Sequence, residues 1–384
     1  MKKLKEKGKY DVVVVGGGIA GVSASVSAAR NGVKVCLIEK SCCLGGLATL
    51  GLVNVYIPFC DGKGNQIIKG IAEELIRVCG GDGNAKIPDY WLSENKKEQR
   101  KTTRYFAEVN PFYSIIALEE FVLKEGIEIK YDTIVYDVIK KEDRITDIIV
   151  LDKEGTGKIS CSTVIDATGD ADICYFAGEE TVSVDKNVPC GWFFYYDGKN
   201  LKKYTFTEHF DRYNQDIPEG IKTFSGVKAS DITEQVLESR RKIKELFFKI
   251  KEGKTDAYLL SIPVIPTFRM TRRLKGKFEL REEDEGKIFP DAVGITGDWR
   301  KPGPLYYIPF SCLYGVKTKN LITAGRCISA STAWDIIRVI PTCALTGEIS
   351  GTASAILVKE KIESFSSIEI KKLQKVLKKQ GVIF

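Results

Sequence analysis

The clearest hydrophobic pattern in the chain lies near its N-terminus. Asp11–Val15 ends in a run of four valines, which is typical of a strand buried on both faces in a parallel sheet. Ala20–Ala29 is rich in small residues and is followed by Asn31 and Gly32, a pair that often ends a helix. A second apolar run, Val33–Glu39, comes next. The pattern predicts a strand, a helix and a parallel strand.

Further along the chain the pattern predicts one helix and then several paired strands. A helix is expected from about Pro111 to Glu125. Alternating apolar and polar residues follow in 126–139 and 144–152, which indicates an antiparallel meander laid over the main sheet. The chain then returns to a buried strand in Ser162–Asp166.

The middle of the chain has a different composition. Residues 182–287 are rich in aromatic and charged residues and contain a long amphipathic helix near 232–253. We therefore predict an α/β fold in which a Rossmann-like domain, with a central parallel sheet and an antiparallel meander, is formed by residues 1–181 and 288–384. Residues 182–287 are predicted to form an inserted α+β substrate or cap domain.

Composition excludes several classes of function. The net charge of +7 is spread over 384 residues with Lys and Glu interleaved, which does not favour a nucleic-acid partner. The eleven cysteines include no C-x-x-C pair, so neither a metal site nor a redox-active disulfide is expected. No apolar run predicts a leader peptide or a membrane span. We expect a cytoplasmic protein without a metal.

The turn after the first strand carries a nucleotide-binding pattern. Gly16, Gly18 and Gly21 form G-x-G-x-x-G between a strand and a helix, where the first glycine permits a tight turn, the second a close approach to pyrophosphate and the third close helix packing. Glu39 follows about 20 residues later, at the position where an acid binds ribose hydroxyls. An acid there disfavours NADP, because it would repel the 2′-phosphate, but it leaves NAD and FAD open.

Two further glycine turns favour FAD. Val164–Asp170 and Asn320–Arg326 each combine a buried strand with a glycine turn. Three strand ends that converge on one ligand suit the long FAD molecule better than NAD. No second G-x-G-x-x-G occurs, so a separate NAD(P)H domain is not expected.

With these motifs, the chain resembles the FAD-dependent oxidoreductases with two dinucleotide-binding folds, related to the flavoprotein subunits of succinate dehydrogenase and fumarate reductase. The resemblance runs through 43–54, 162–173, 269–280 and 320–356. It implies that FAD is bound non-covalently, since no histidine occurs in Ser41–Thr49. The residues that the resemblance assigns to FAD are Gly16, Gly18, Ile19, Ala20, Gly21, Glu39, Lys40, Gly45, Gly46, Leu47, Thr49, Val135, Ala167, Thr168, Gly169, Gly325, Arg326 and Arg338.

The same resemblance offers arginines for catalysis. Arg338 precedes a predicted C-terminal helix and is a candidate to hold a substrate carboxylate, the alternative being a structural ion pair with Asp335 or with a phosphate. Arg273, in a cluster with Arg269 and Arg272, is a second candidate, the alternative being a surface or interface ion pair. His209, the only histidine, is more typical of a structural or surface residue than of a proton donor.

The sequence thus predicts an FAD-dependent oxidoreductase that transfers a hydride between flavin N5 and a carbon of a small anionic substrate. Two alternatives stay open. One is an FAD-bearing subunit that passes electrons to a carrier protein, or a flavoprotein that modifies RNA. The other is an NAD-dependent dehydrogenase without flavin.

Overall fold

A computed structural model describes residues 4–92, 98–99, 105–207, 219–253 and 255–384. Its helices are α1 Ile19–Arg30, α2 Ile71–Cys79, α3 Asp89–Leu92, α4 Pro111–Leu123, α5 Asp172–Phe176, α6 Ala229–Gly253, α7 Trp334–Ile337, α8 Ile340–Lys359 and α9 Ile370–Lys379. Its strands are β1 Lys5–Val15, β2 Val35–Ile38, β3 Val55–Tyr56, β4 Ala85–Lys86, β5 Ala107–Val109, β6 Glu128–Lys130, β7 Ile134–Lys141, β8 Arg144–Asp152, β9 Gly155–Asp166, β10 Thr181–Ser183, β11 Cys190–Tyr196, β12 Leu201–Thr207, β13 Tyr258–Ser261, β14 Arg272–Leu274, β15 Ala292–Gly297, β16 Leu305–Pro309 and β17 Leu321–Thr323.

A seven-stranded sheet organises the fold. Its order is β6-β2-β1-β9-β8-β7, and β17 also pairs with β9. Strands β6, β2, β1, β9 and β17 run parallel, and β7 and β8 are antiparallel to their neighbours. The predicted fold class, a central parallel sheet with an antiparallel meander, is confirmed.

Strand β9 joins the meander to the parallel sheet. Residues 155–160 of β9 pair with β8, and residues 164–166 pair with β17. The meander is therefore continuous with the main sheet, whereas the sequence pattern indicated a layer on top of it. The difference follows from the length of β9, which has room for a different neighbour along each half.

Helices α1 and α8 pack against each other at very short range. Both are almost entirely buried. A methyl group on Gly347 would lie 2.3 Å from the Ala20 carbonyl oxygen, and one on Gly351 would lie 2.2 Å from the Ala24 carbonyl oxygen. The small residues of both helices thus serve packing, and they hold the start of α8 next to the start of α1.

A separate small core lies within the predicted insertion. The sheet β12-β11-β13 packs against the long helix α6, with Phe193, Ile243 and Phe247 buried between them. The helix follows the predicted amphipathic segment, because its buried positions recur every four residues. The domain boundaries at 182 and 287 stay a prediction. In the described chain, no helix combines the length and the apolar character needed to cross a membrane.

Candidate active site

The glycine turn between β1 and α1 forms the centre of the site. Gly16 has φ +101°, and a methyl group there would lie 2.4 Å from the Ala167 carbonyl oxygen. A methyl group on Gly21 would lie 1.8 Å from the Gly16 carbonyl oxygen. Gly18 differs, since a methyl group there would meet no atom within 4 Å. Two glycines therefore permit tight packing, and the third leaves an open space at the start of α1.

The start of α1 is suited to bind an anion. No side chain caps the helix at Gly18, and Gly18, Ile19 and Ala20 all line a cavity. The first N–H groups of a helix have no partner within the helix, and the helix dipole places partial positive charge there. This end of α1 can therefore bind the phosphates of a nucleotide.

Glu39 lies beside the turn and is fixed by the backbone. Its Oε2 accepts a hydrogen bond from Gly17 N at 2.6 Å, and its Oε1 accepts one from Ser41 N at 2.8 Å. A carboxylate has about four lone-pair positions, so each oxygen retains one for a hydroxyl donor. Glu39 both holds the glycine turn in place and has the capacity to bind a ribose.

One cavity of about 630 Å³ connects the three glycine turns. That volume falls in the range of pockets that enclose small molecules, roughly 300–1,000 Å³. The predicted FAD residues that line it are Gly16, Gly18, Ile19, Ala20, Glu39, Lys40, Gly45, Gly46, Leu47, Val135, Ala167, Thr168, Gly169, Gly325, Arg326 and Arg338. Three predicted site residues lie outside the lining: Gly21, which packs α1 on β1, Thr49, whose Oγ1 donates to Leu44 O at 2.7 Å, and Arg273.

The loop after β9 adds carboxylates that the sequence prediction missed. Asp170 and Asp172 both line the cavity. Burial raises the pKa of Asp172 to about 6, with smaller contributions from the charges of Asp170 and Asp166, while Arg272 acts in the opposite direction. The sequence carried a signal for both acids, because Asp170 ends the predicted turn Val164–Asp170 and Asp172 lies two residues after it.

Arg326 connects this loop to the predicted insertion. Its Nε donates to Gly169 O at 2.7 Å, its Nη1 to Phe268 O at 2.6 Å, and its Nη2 to Asp170 Oδ1 at 2.6 Å. Three nitrogens of the guanidinium are therefore committed to the protein. Arg326 is placed to shape the wall of the cavity rather than to release its charge to a ligand.

Arg338 lies at the same cavity with its guanidinium only partly engaged. Its Nε donates to Asp335 Oδ1 at 2.8 Å, and its Nη2 donates to the same oxygen. Within the described residues, Nη1 makes no hydrogen bond. The ion pair with Asp335, which is the alternative role of Arg338, is thus present. It leaves one end of the planar guanidinium for an anion.

The other arginine candidates do not line the cavity, although Arg272 contacts an acid that does. Arg273 forms an ion pair with Glu279 and lies 5.5 Å from the centre of the Trp334 ring. Arg272 pairs with Asp172 at 2.5 Å and lies over the Tyr175 ring. A catalytic role for Arg273 is not supported by this geometry, because its charge is compensated in a buried ion pair. His209 lies outside the described residues.

The start of α8 closes the cavity near Gly325. Ile340 and Cys343 line the wall, and no side chain caps α8 at Val339. Burial raises the pKa of Cys343 to about 12, against the lowering effect of the Arg326 and Arg338 charges, so its thiol is neutral at pH 7. The uncapped start of α8 can stabilise negative charge on a bound group.

Part of the wall comes from the segment predicted as a substrate or cap domain, although the sequence did not single out the individual residues. Ile232, Ile265, Pro266 and Phe268 line the cavity together with Leu50. Val264 N donates to Leu50 O at 3.0 Å, which holds this loop against the turn after Gly46. Because residues 182–287 are rich in aromatic and charged residues, the sequence did not mark these apolar side chains as part of a ligand-binding cavity.

The family model for FAD-dependent oxidoreductases matches residues 11–190 and 192–377. The chain belongs to this family. Its cofactor is FAD, which replaces the NAD-dependent alternative that the sequence left open. The residues fit the cofactor: the open space at Gly18, the uncapped start of α1 and the free lone pairs of Glu39 provide for its pyrophosphate and ribose.

Curated relatives share only part of the chain. Thiamine thiazole synthase from Methanococcus maripaludis is 29% identical over 169 residues, which cover 41% of this chain and 55% of the relative. Digeranylgeranylglycerophospholipid reductase 2 from Methanothermobacter thermautotrophicus is 27% identical over 183 residues, 45% of this chain and 43% of the relative. The chain spans about half the length of these relatives.

A solved structure resembles nearly the whole chain. The geranylgeranyl bacteriochlorophyll reductase-like protein from Thermoplasma acidophilum superposes with a TM-score of 0.51 and 14% identity, over 97% of this chain and 84% of that protein. At this level of identity the likeness supports the fold.

Proposed function

We propose that this FAD-dependent oxidoreductase transfers a hydride between flavin N5 and a carbon of a small anionic organic substrate. The observation that carries the proposal is Arg338, which lines the cavity with Nη1 free of hydrogen bonds to the described residues. Asp335 holds the other side of the guanidinium, so the group is oriented before a ligand binds. A planar, oriented guanidinium suits a carboxylate.

The FAD-binding residues belong to the same proposal. The start of α1 and the Ala167–Gly169 turn would hold the pyrophosphate, Glu39 the ribose, and the start of α8 the far end of the cofactor. FAD supplies the redox chemistry by accepting or giving up a hydride. The protein contributes orientation, exclusion of water and the positive charge of Arg338.

An absorbance spectrum tests the cofactor part. We expect the purified protein to be yellow and to release its flavin on denaturation, as a non-covalent complex does. Flavin that stays with the denatured chain would contradict non-covalent binding. The electron-carrier partner is tested by reoxidation of the reduced protein with candidate carriers.

Replacement of Arg338 tests the substrate part. Flavin reduction or reoxidation is first measured against a panel of carboxylates, amines and enoates. For the substrate found, we expect Arg338→Ala to lower kcat/KM about 30-fold or more, since loss of a partly buried charge-assisted contact costs about 2 kcal/mol. Arg338→Lys should retain part of the activity, and Lys375→Ala, on the exposed face of α9, should have no effect. Unchanged turnover in Arg338→Ala would contradict the proposal.

A further inference from the structure

We infer that the substrate is a monocarboxylate with an apolar body, rather than a small dicarboxylate or another acid that is polar throughout. The inference rests on the proposed function, because it uses the same cavity and the same arginine. It adds the chemical character of the rest of the substrate.

The cavity lining offers few positive charges to a substrate. Among the described residues, the cations that line the cavity are Lys40, Arg326 and Arg338. Lys40 is exposed and follows Glu39, at the end assigned to the ribose. Arg326 donates through Nε, Nη1 and Nη2 to the protein. Arg338 is then the cation left for the substrate, and it has one free end.

The acidic residues Asp170 and Asp172 also line the cavity, and each is already paired with an arginine. Asp170 pairs with Arg326 at 2.6 Å, and Asp172 pairs with Arg272 at 2.5 Å. These ion pairs hold both arginines within the protein, so neither guanidinium is available to a second carboxylate on the substrate. Among the described lining residues, Arg338 therefore provides the positive charge for one carboxylate.

One wall of the cavity is apolar. Leu50, Ile232, Ile265, Pro266 and Phe268 line the cavity, and Ile340 lies two residues after Arg338. Apolar surface is removed from water at a gain of roughly 25 cal/mol per Å², and a polar substrate would forgo that gain. The wall thus favours a substrate whose body is an aryl or alkyl group.

The wall and the arginine belong to one chamber. Arg338 lines the same cavity as Ile265, Pro266 and Phe268, and Phe268 O accepts a hydrogen bond from Arg326 Nη1 at 2.6 Å. A ligand whose carboxylate meets Arg338 therefore has its body within reach of Phe268.

The test compares three probes on the FAD-loaded protein. These are 3-phenylpropanoate, its neutral analogue 3-phenylpropanamide, and succinate. Binding is measured by calorimetry and by the change in the flavin spectrum. We expect 3-phenylpropanoate to bind at least tenfold more tightly than either of the other two, with a negative heat-capacity change that marks burial of apolar surface.

Two variants separate the effect of the arginine from the effect of the apolar wall. In Arg338→Ala the preference for the acid over the amide should fall to about one. In Ile265→Ser the affinity for 3-phenylpropanoate should fall several-fold while that for succinate stays the same. Lys375→Ala removes a positive charge far from the cavity and should change neither.

The outcomes distinguish this inference from the function beneath it. Succinate binding more tightly than 3-phenylpropanoate, with Arg338→Ala weakening succinate, would overturn the inference and leave the anionic substrate intact. Affinities that do not respond to Arg338→Ala would overturn the proposed function as well. Failure of 3-phenylpropanoate to bind at millimolar concentration would overturn the inference.

Discussion

At the scale of single residues, Glu348 is a buried carboxylate away from the site. It lies on α8, and its Oε2 accepts a hydrogen bond from Ile71 N, in the first turn of α2, at 2.9 Å. Burial raises the pKa of Glu348 to about 7, with the Ile71 bond opposing the shift. The native protein therefore holds a proton here that the unfolded chain releases near pH 4.5.

This proton makes stability depend on pH. The contribution of protonated Glu348 is fully present below pH 4.5 and is lost as the pH rises through about 7. Above about pH 8, the raised pKa of Glu348 lowers the free energy of unfolding by about 3 kcal/mol relative to its value below pH 4.5. We expect Glu348→Gln, which keeps the shape without the charge, to be more stable than wild type at pH 8 and to show a flatter profile from pH 5 to 8.

Urea unfolding of both proteins across this range measures the effect. The urea midpoint of wild type should fall as the pH rises, while that of Glu348→Gln should change much less. Parallel profiles for the two proteins would show that Glu348 is not protonated in the native state.

The arginines show where residue-level prediction from sequence stops. The glycine fingerprint and Glu39 were predictable, because each has a fixed position relative to a strand and a helix. Arg273 and Arg338 had similar standing in the sequence, and only the fold shows that Arg273 pairs with Glu279 while Arg338 lines the cavity. The difference depends on tertiary contacts that a linear pattern does not encode.

At the scale of elements, the contact between α1 and α8 depends on the absence of side chains. We expect Gly351→Ala to lower the free energy of unfolding by about 2 kcal/mol or more, because the methyl group would lie 2.2 Å from the Ala24 carbonyl oxygen and force the helices apart. Gly253→Ala, at the end of α6, is the matched control, because a methyl group there meets no atom within 4 Å.

Thermal unfolding of the two variants checks this. Gly253→Ala should be neutral or slightly stabilising, by up to about 1 kcal/mol, since alanine favours a helix more than glycine does. Equal melting temperatures for Gly351→Ala and wild type would mean that the helices separate without loss, contrary to the packing described.

Elements with strong local signals were predictable to within about two residues. The helix expected from Pro111 to Glu125 is α4, Pro111–Leu123, whose start is capped by Asn110 Oδ1 accepting from Phe112 N at 3.0 Å. The apolar cavity wall was not predictable. Ile265 and Pro266 lie in a loop without periodicity, and their position follows from the contact between Val264 and Leu50.

At the scale of the whole molecule, the cofactor joins parts of the chain that are far apart in sequence. Residues from 15 to 343 line the cavity, and they come from both predicted segments of the Rossmann-like domain and from the predicted insertion. A ligand that binds the native state alone adds RT ln(1 + [L]/Kd), about 2.7 kcal/mol at a hundredfold excess over Kd. We expect the apoprotein to melt at a lower temperature than the FAD-loaded protein.

Melting curves at increasing FAD concentration measure this linkage. The melting temperature should continue to rise with the logarithm of the FAD concentration after the site is saturated, whereas AMP at equal concentration should give a smaller shift. A melting temperature independent of FAD would contradict a site assembled from all three segments.

The position of β17 in the sheet has a consequence for the order of events during synthesis. Strand β9 can pair with β1 as soon as both are made, but its other parallel neighbour, β17, is available only when residues 321–323 are made. The face of α1 that packs against α8 is covered only when residues 340–359 are made. Contacts between distant segments form late and slowly. A nascent chain that has not yet reached residue 340 would expose this face of α1 to chaperones. We expect FAD to be taken up only after residues 340–359 have emerged and packed on α1.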